Sequence, residues 1–348
     1  MYNFKAPSLP KISRPAWVDL VAKYQNPNLW RSLWQVINSL VPYAVLWFLM
    51  VRSLAVGYWL TLLLTVPAAG LLVRVFIILH DCGHGSFFKS VKANDAVGVL
   101  CGILTFTPYL QWRHAHAVHH ASSGDLDRRG VGDVLTLTVK EYMALPWWKR
   151  LGYRLYRSPV VMFGAAPLFL FLVGHRFTAG TSGRRERFNV HFTNLAVLTL
   201  ALVLTYLIGL KAYLLIQIPI MGLAASAGVW MFYVQHQFED TYWREHPEWQ
   251  YADAALIGSS YYRLPKILQW FTGNIGLHHI HHLSPKIPNY KLQQAYDENP
   301  LFQRVTVVTL GESLKTIPLK LWDEEQQKLV GFSYLNLLRR KAKVETAG

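Results

Sequence analysis

Apolar residues in this chain come in long unbroken runs, not in the alternation of a half-buried sheet. From about Val36 they fall near residues 37–52, 54–79, 96–110, 159–174, 194–210 and 212–235. The pairs 37–52/54–79 and 194–210/212–235 predict two helical hairpins, the second with a tight turn at Gly209–Lys211. The runs 96–110 and 159–174 are short for a membrane span, which takes roughly 20 residues. Residues 1–34 are mixed polar and aromatic, and WVDLVAKYQNPNLWRSLW suits an amphipathic segment lying along an interface. After Gln235 the chain turns polar, so residues 236–348 are expected to form a non-spanning cap.

Charge then orients these elements. The first 34 residues carry Lys5, Lys11, Arg14, Lys23 and Arg31. Segment 113–158 carries Arg113, Arg128, Arg129, Lys140, Lys149, Arg150, Arg154 and Arg157, and segment 175–193 carries Arg176, Arg184, Arg185 and Arg187. The hairpin turns carry mainly Arg52 and Lys211. Basic segments stay on the cytoplasmic side, so both termini and the cap are expected there. Four helices then cross, and the two short runs enter and leave on one side as re-entrant or interfacial pieces. Making both of them full spans would place 113–158 outside, against its charge.

Composition agrees with a membrane protein. Of 348 residues 52% are hydrophobic and 16% charged, less charge than a soluble domain of this length carries. A net charge of +15 would suggest nucleic acid in a soluble protein. Here the bases flank apolar runs, so an anionic leaflet accounts for them and no nucleic-acid partner is expected. Cys82 and Cys101 form neither a disulfide framework nor a CxxC pair. The N-terminus shows no apolar stretch of a cleaved signal and no transit peptide, and the expected location is the bacterial cytoplasmic membrane.

Histidine changes the picture. Eleven of the fourteen lie in four clusters: HDCGH (His80, His84), HAHAVHH (His114, His116, His119, His120), QHQFED (His236) and HHIHH (His278, His279, His281, His282). All four sit at predicted span ends or in the cap, on one face of the membrane. His80 and His84 are spaced i, i+4, on one helix face. His116, His119 and His120 are spaced i, i+3, i+4 and so can point the same way, and His278, His281 and His282 repeat that spacing. His114 and His279 break the pattern and are set aside, while His175, His191 and His246 are isolated.

Neutral imidazole is a good ligand for iron, copper, nickel and zinc, whereas magnesium and calcium prefer oxygen. Nine candidate ligands exceed the three or four a zinc site uses. They fit two metal ions with open positions, and iron suits the case because a redox-active metal can activate O2. Asp81, Glu239 and Asp240 are candidates to accept ring N–H bonds and fix the tautomers. The loop SSGDLDRRGVGD is a candidate cover for the site. Trp112, Trp147, Trp148, Trp230, Tyr233 and Trp243 read mostly as interfacial anchors, with one or two lining a tunnel.

HDCGH, HAVHH and HHIHH, in that order, resemble the three histidine boxes of the membrane fatty acid desaturase superfamily. HHLSPKIPNY after the third box resembles the bacterial acyl-lipid branch, near the omega-6 (Delta12-type) enzymes. The resemblance covers about residues 35–300. It implies an all-α integral membrane protein of four transmembrane helices, with a cytosolic helical cap holding a di-iron site. It carries the ligand role box by box to His80, His84, His116, His119, His120, His278, His281 and His282, and adds His236 from outside the boxes. A division into 1–34 (N-terminal segment), 35–300 (desaturase domain) and 301–348 (C-terminal tail) follows.

The reaction so implied removes two hydrogens from adjacent methylenes of a membrane-lipid acyl chain, with O2 as co-substrate and two iron ions. Two electrons must arrive per turnover. The sequence has no cysteine set for an iron–sulfur cluster and no Gly-rich dinucleotide fingerprint. A separate donor is therefore expected, a ferredoxin or a b-type cytochrome. Three alternatives compete. A di-iron hydroxylase, ketolase or alkane oxygenase shares the boxes and differs in outcome. A membrane zinc protease would use HDCGH but leave the other boxes unexplained. A metal transporter would carry its ligands at mid-membrane depth.

Overall fold

The structure is a computed structural model that describes residues 14–345. Lys5 and Lys11, counted above in the basic N-terminal tail, lie outside the described residues.

Among the described residues four helices are long and apolar enough to cross a membrane, in the two hairpins expected. A short α1 (Arg14–Ala22) precedes α2 (Leu29–Ser53) and α3 (Tyr58–His84). Asn28 starts α2 by accepting a hydrogen bond from the Arg31 amide. The hairpin is closed by a 2.7 Å bond between the Ser53 and Thr61 hydroxyls. Next come α4 (Val91–Leu104), α5 (Tyr109–Ser122), a two-residue β1 (Leu137–Thr138), α6 (Val139–Ala144) and α7 (Trp147–Tyr156). A π-helical turn (Val161–Ala165) leads into α8 (Ala166–Leu172). The second hairpin is α9 (Arg184–Ile208) and α10 (Leu210–His236), which meet at Gly209.

The helices share the burial unequally. In the most apolar stretch of α3, 61% of residues are buried, against 6% in α9. Thus α3 is the central pillar, packed on α2, α4 and α10, whereas α9 faces lipid on most sides. Small residues, Ala68 and Ala69 on α3 and Ala224 and Ala225 on α10, are buried in these helices and permit close approach. Pro42, Pro67 and Pro219 sit inside spans, which neighbouring helices make tolerable.

The short runs behave as their length requires. The 14 residues of α4 measure about 21 Å against a hydrocarbon core of about 30 Å. The segments Trp147–Tyr156 and Val161–Arg176 are bent by 54° at a short break. A parity argument separates a broken span from a re-entrant one. His84 ends α3, and His116 and His120 lie beside it, so the chain between them crosses an even number of times. His236 ends α10 and lies beside His119, so the same holds from α5 to α10. Two crossings there are already taken by α9 and α10, and the bent pair must return to the side it left. Its first arm, α7, turns Trp147, Trp148, Leu151 and Leu155 outward among Lys149, Arg150 and Arg154, an interfacial helix.

The cap contains short helices and, beyond the helical expectation, short strands. In order these are α11 (Tyr251–Leu256), β2 (Tyr261–Arg263), α12 (Lys266–Phe271), α13 (His278–Leu283), α14 (Asn289–Glu298), β3 (Val307–Thr309), α15 (Leu310–Ser313), β4 (Leu321–Asp323), β5 (Lys328–Val330) and α16 (Tyr334–Glu345). β2 pairs with β3, and β4 lies between β1 and β5. Strands of two or three residues leave no period to detect in a sequence. Trp243 was expected among the interfacial anchors, but it is buried in the cap against Trp322 and Leu329. Tyr233 is buried too, its hydroxyl 2.9 Å from the carbonyl oxygens of both Thr316 and Leu319, between which its one proton is shared.

Candidate metal centre

Each histidine segment ends or begins an element at one level. α3 stops just after His84 because Gly85 takes a left-handed conformation (φ 63°). Its N–H returns to Cys82 O at 2.9 Å, and the Ser86 N–H to Asp81 O at 3.0 Å. That is a Schellman-type stop, which a side chain at Gly85 would strain. α10 ends at His236 itself, and α5 carries His116, His119 and His120 in its last two turns. α13 is little more than the HHIHH segment.

Nine histidines converge into two groups. The first holds His80, His84, His116, His120 and His281, and the second His119, His236, His278 and His282. Within each group one ring nitrogen per residue lies within 4.8 Å of all the others. The sorting follows helix geometry. On α5 the i, i+4 pair His116/His120 enters the first group and His119 the second. On α13 the i, i+4 pair His278/His282 enters the second group and His281 the first. The triplets therefore do not point one way, as their spacing allowed. Steps of three and four residues turn about 60° and 40° to opposite sides of the starting residue, and the two groups lie on those two sides.

The nitrogen spacing suits metal ions. His120 Nε2 lies 3.0 Å from His281 Nε2 and 3.2 Å from His116 Nε2. His278 Nε2 lies 3.0 Å from His236 Nε2 and 3.1 Å from His282 Nε2. Two neutral imidazoles can share one N–H···N bond, but a single ring nitrogen facing two others cannot satisfy both. Nitrogens about 2.1 Å from one ion and at right angles stand about 3.0 Å apart. In addition, Nε2 of His80, His84 and His119 is buried with no protein partner. Buried polar atoms left so are costly and ask for an explanation. Burial, together with the neighbouring rings, holds His116, His120, His278, His281 and His282 well below the usual histidine range. Neutral rings keep the lone pair that ligation needs.

Outward-facing nitrogens are anchored. His80 Nδ1 donates to Asp81 Oδ1 at 3.1 Å, and Asp81 Oδ2 accepts from the Asn289 backbone and side-chain nitrogens at 2.6 and 2.8 Å. His236 Nδ1 lies 3.3 Å from Gly258 O. His119 Nδ1 donates to Asp133 Oδ1. Asp133 was not singled out from the sequence, although it ends the SSGDLDRRGVGD loop. The loop comes close enough because Gly132, at φ 71°, lies where a Cβ would meet Ala115 O at 2.9 Å and His119 Cβ at 3.1 Å. A Gly–Asp pair fourteen residues beyond His119 is the signal, but ordinary turns show it too. Glu239 and Asp240 are exposed and serve no ring, Glu239 lying 3.4 Å from Lys328.

Aromatic side chains wall the site. Trp112 stacks on His116 with centroids 4.4 Å apart, and Phe232 lies 5.0 Å from His119. The histidines set aside by spacing stand outside both groups. His114 is half-exposed beside Glu186. His279 is buried with Nε2 3.0 Å from Phe302 O, and burial lowers it to about 3. His246 sits against Asp125 at 2.8 Å. Cys82 and Cys101 are buried and free.

The chain is similar in sequence to proteins of one family. Residues 57–306 match the family model described as fatty acid desaturase. A fatty acid desaturase of Bacillus subtilis (strain 168) is 49% identical over 312 residues, covering 90% of this chain and 89% of the relative. An sn-1 oleoyl-lipid 12-desaturase of Synechocystis is 28% identical, covering 70% and 72%. From the same organism an sn-1 acyl-lipid omega-3 desaturase (ferredoxin) is also 28% identical, covering 64% and 62%.

Proposed function

The chain belongs to the fatty acid desaturase family and is an oxidoreductase, and on that premise we propose that it is an O2-dependent acyl-lipid desaturase of the bacterial cytoplasmic membrane. The observation that carries the reading is the convergence of nine histidines, seven of them buried and two half-buried, into groups of five and four at the ends of two spans. We assign His80, His84, His116, His120 and His281 to one iron and His119, His236, His278 and His282 to the other. When bound, the two irons would supply, with O2, the oxidising power that removal of hydrogen from an unactivated methylene demands.

The chain's own residues supply the setting. Asp81, Asp133 and the Gly258 carbonyl hold Nδ1–H outward, so that Nε2 faces the centre as a lone-pair donor. Trp112 and Phe232 line the centre and keep water from it, which matters where an oxidant must be spent on a hydrocarbon. The positive-inside distribution faces the centre to the cytoplasm, where a soluble donor of the ferredoxin or b-type cytochrome class can reach it. Placement of a cis double bond in the Delta12/omega-6 class rests on the HHLSPKIPNY segment and on the likeness to the Synechocystis 12-desaturase.

The test is expression in a host rich in monounsaturated lipid with a ferredoxin supply, followed by gas chromatography–mass spectrometry of total fatty acids. New cis dienes that vanish in a His281→Ala control are expected, and their bond position decides the Delta12 assignment. Hydroxylated chains would replace the desaturase reading by a hydroxylase one. A purified protein without iron would overturn the centre itself.

A further inference from the structure

A second polar feature lies away from the histidines. A pocket of about 550 Å³ opens between α2, α3 and the cap segments α12 and α14. Its lining includes Arg74 of α3, Lys266 at the start of α12, and amides and hydroxyls such as Gln35, Gln269, Asn274 and Tyr290.

Arg74 is buried and ten residues before the end of a span, about 15 Å from the cap end of α3. Its guanidinium donates to the Trp270 carbonyl and lies 4.1 Å over the Trp270 ring, while its Nε has no partner. Gln35, also buried, has an unpartnered Nε2. Among the described residues neither Arg74 nor Lys266 makes an ion pair. The carboxylate in the lining, Asp297, accepts from Gln293 at 2.9 Å. The pocket thus holds two cations outside any ion pair and unpartnered N–H groups on Arg74 and Gln35, beside the one carboxylate of Asp297, a set that can recognise an anion such as phosphate.

Its place fits a lipid. α12 is seated against the middle of α3, where a Cβ on Gly70 would come 2.8 Å from Phe271. Ile267, Leu268 and Trp270 of α12 are exposed, as are Trp30, Trp34 and Ile37 of α2. The pocket therefore opens beside two exposed apolar surfaces, one on α2 and one on α12. Its inner wall includes Asn289, which also holds Asp81 and through it His80.

We infer that this pocket holds the phosphate headgroup of the glycerophospholipid whose acyl chain is desaturated, with Arg74 and Lys266 as the phosphate partners. The inference rests on the acyl-lipid desaturase reading. It makes the chain a phospholipid enzyme rather than one for neutral glycolipids or acyl thioesters.

The experiment is titration calorimetry of the detergent-purified full chain with dihexanoylphosphatidylglycerol and with phosphate-free dihexanoylglycerol. The phospholipid is expected to bind at least about tenfold more tightly, since a charge-assisted contact is worth that much. Arg74→Gln and Lys266→Gln should each remove about tenfold of its affinity and leave the weak binding of dihexanoylglycerol where it was. Lys266 is exposed, so its variant tests the site even if the Arg74 variant folds poorly. Equal binding of the two ligands, or unaltered phospholipid affinity in Lys266→Gln, overturns the proposal. Oleoyl-coenzyme A displacing the phospholipid at lower concentration, with the same dependence on Lys266, would make the phosphate a thioester carrier's and overturn the lipid source. The parent reading fails separately: it falls if no diene forms in the host while phosphate-dependent binding persists. Dienes with headgroup-independent binding sink only this inference.

Discussion

Replacing Asp133 by Asn tests the second metal position without touching a ligand. The substitution keeps the shape of the side chain and removes its charge. Asp133 and His119 are about 8% and 1% exposed at the side chain, so water has little access to replace the lost acceptor. Carboxylates behind ligating histidines are typically worth 10- to 100-fold in metal affinity, or about 1.4–2.8 kcal/mol. Burial puts Asp133 toward the upper end. Because His119 belongs to the group of four, only one of the two irons should weaken. The assay is iron per chain by inductively coupled plasma mass spectrometry, after equilibration against a graded series of chelator buffers. Wild type should lose its irons at high chelator strength, and Asp133→Asn should lose one iron per chain at a strength 10- to 100-fold lower. Glu239→Gln, at an exposed carboxylate that serves no ring, is the control. Two irons retained at wild-type affinity would refute the anchoring role of Asp133, and equal weakening of both would refute the sorting into five and four.

Other predictions follow the same logic. His236→Ala removes a ligand from the group of four, so iron should fall toward one per chain and diene formation should cease, measured on the same preparation. His279→Ala should keep two irons but lower stability by about 1–3 kcal/mol, seen as a reduced thermal midpoint, because a buried hydrogen-bonded ring is lost beside the centre and not from it. Arg157 is fully buried and donates to Leu135 O, Gln237 Oε1 and Leu319 O at 2.8–3.1 Å. Arg157→Met strands these acceptors and should destabilise the cap by on the order of 3 kcal/mol in a proteolysis assay. A cap as resistant as wild type would refute that accounting.

Much of this site was legible in the sequence because two independent periods coincide. Imidazoles at i, i+3 and i+4 mark helix faces, and the ends of apolar runs mark depth. Together they bring His80, His84, His116, His119, His120, His236, His278, His281 and His282 into view before any coordinates. What stayed hidden depends on contacts between distant segments. Which triplet member joins which group follows from the relative rotation of α5 and α13. Asp133 is one acid among several in a polar loop until Gly132 brings it against α5. Glu239 and Asp240 were the better sequence candidates, three and four residues from His236, yet α10 ends at His236 and the chain carries them outward. His279 and Trp243 face the cap interior, which no local pattern announces. For the two short runs, length and charge anticipated what the parity of crossings requires.

Consider the order in which the ribosome delivers the histidine segments. They appear at residues 80–84, 116–120, 236 and 278–282, so neither group is complete until the third box has emerged. By then all four apolar helices have been made, and the membrane bundle can form without metal. On the di-iron reading, loading would therefore be the final act of assembly. An ion held by α3, α5 and α13, and another held by α5, α10 and α13, would each tie the late cap to helices made much earlier, closing loops of more than a hundred residues. The irons would then act as bolts as well as reagents. Deprived of them, the chain should stay inserted while its cap, α13 above all, becomes the part that opens first to proteases and hydrogen exchange.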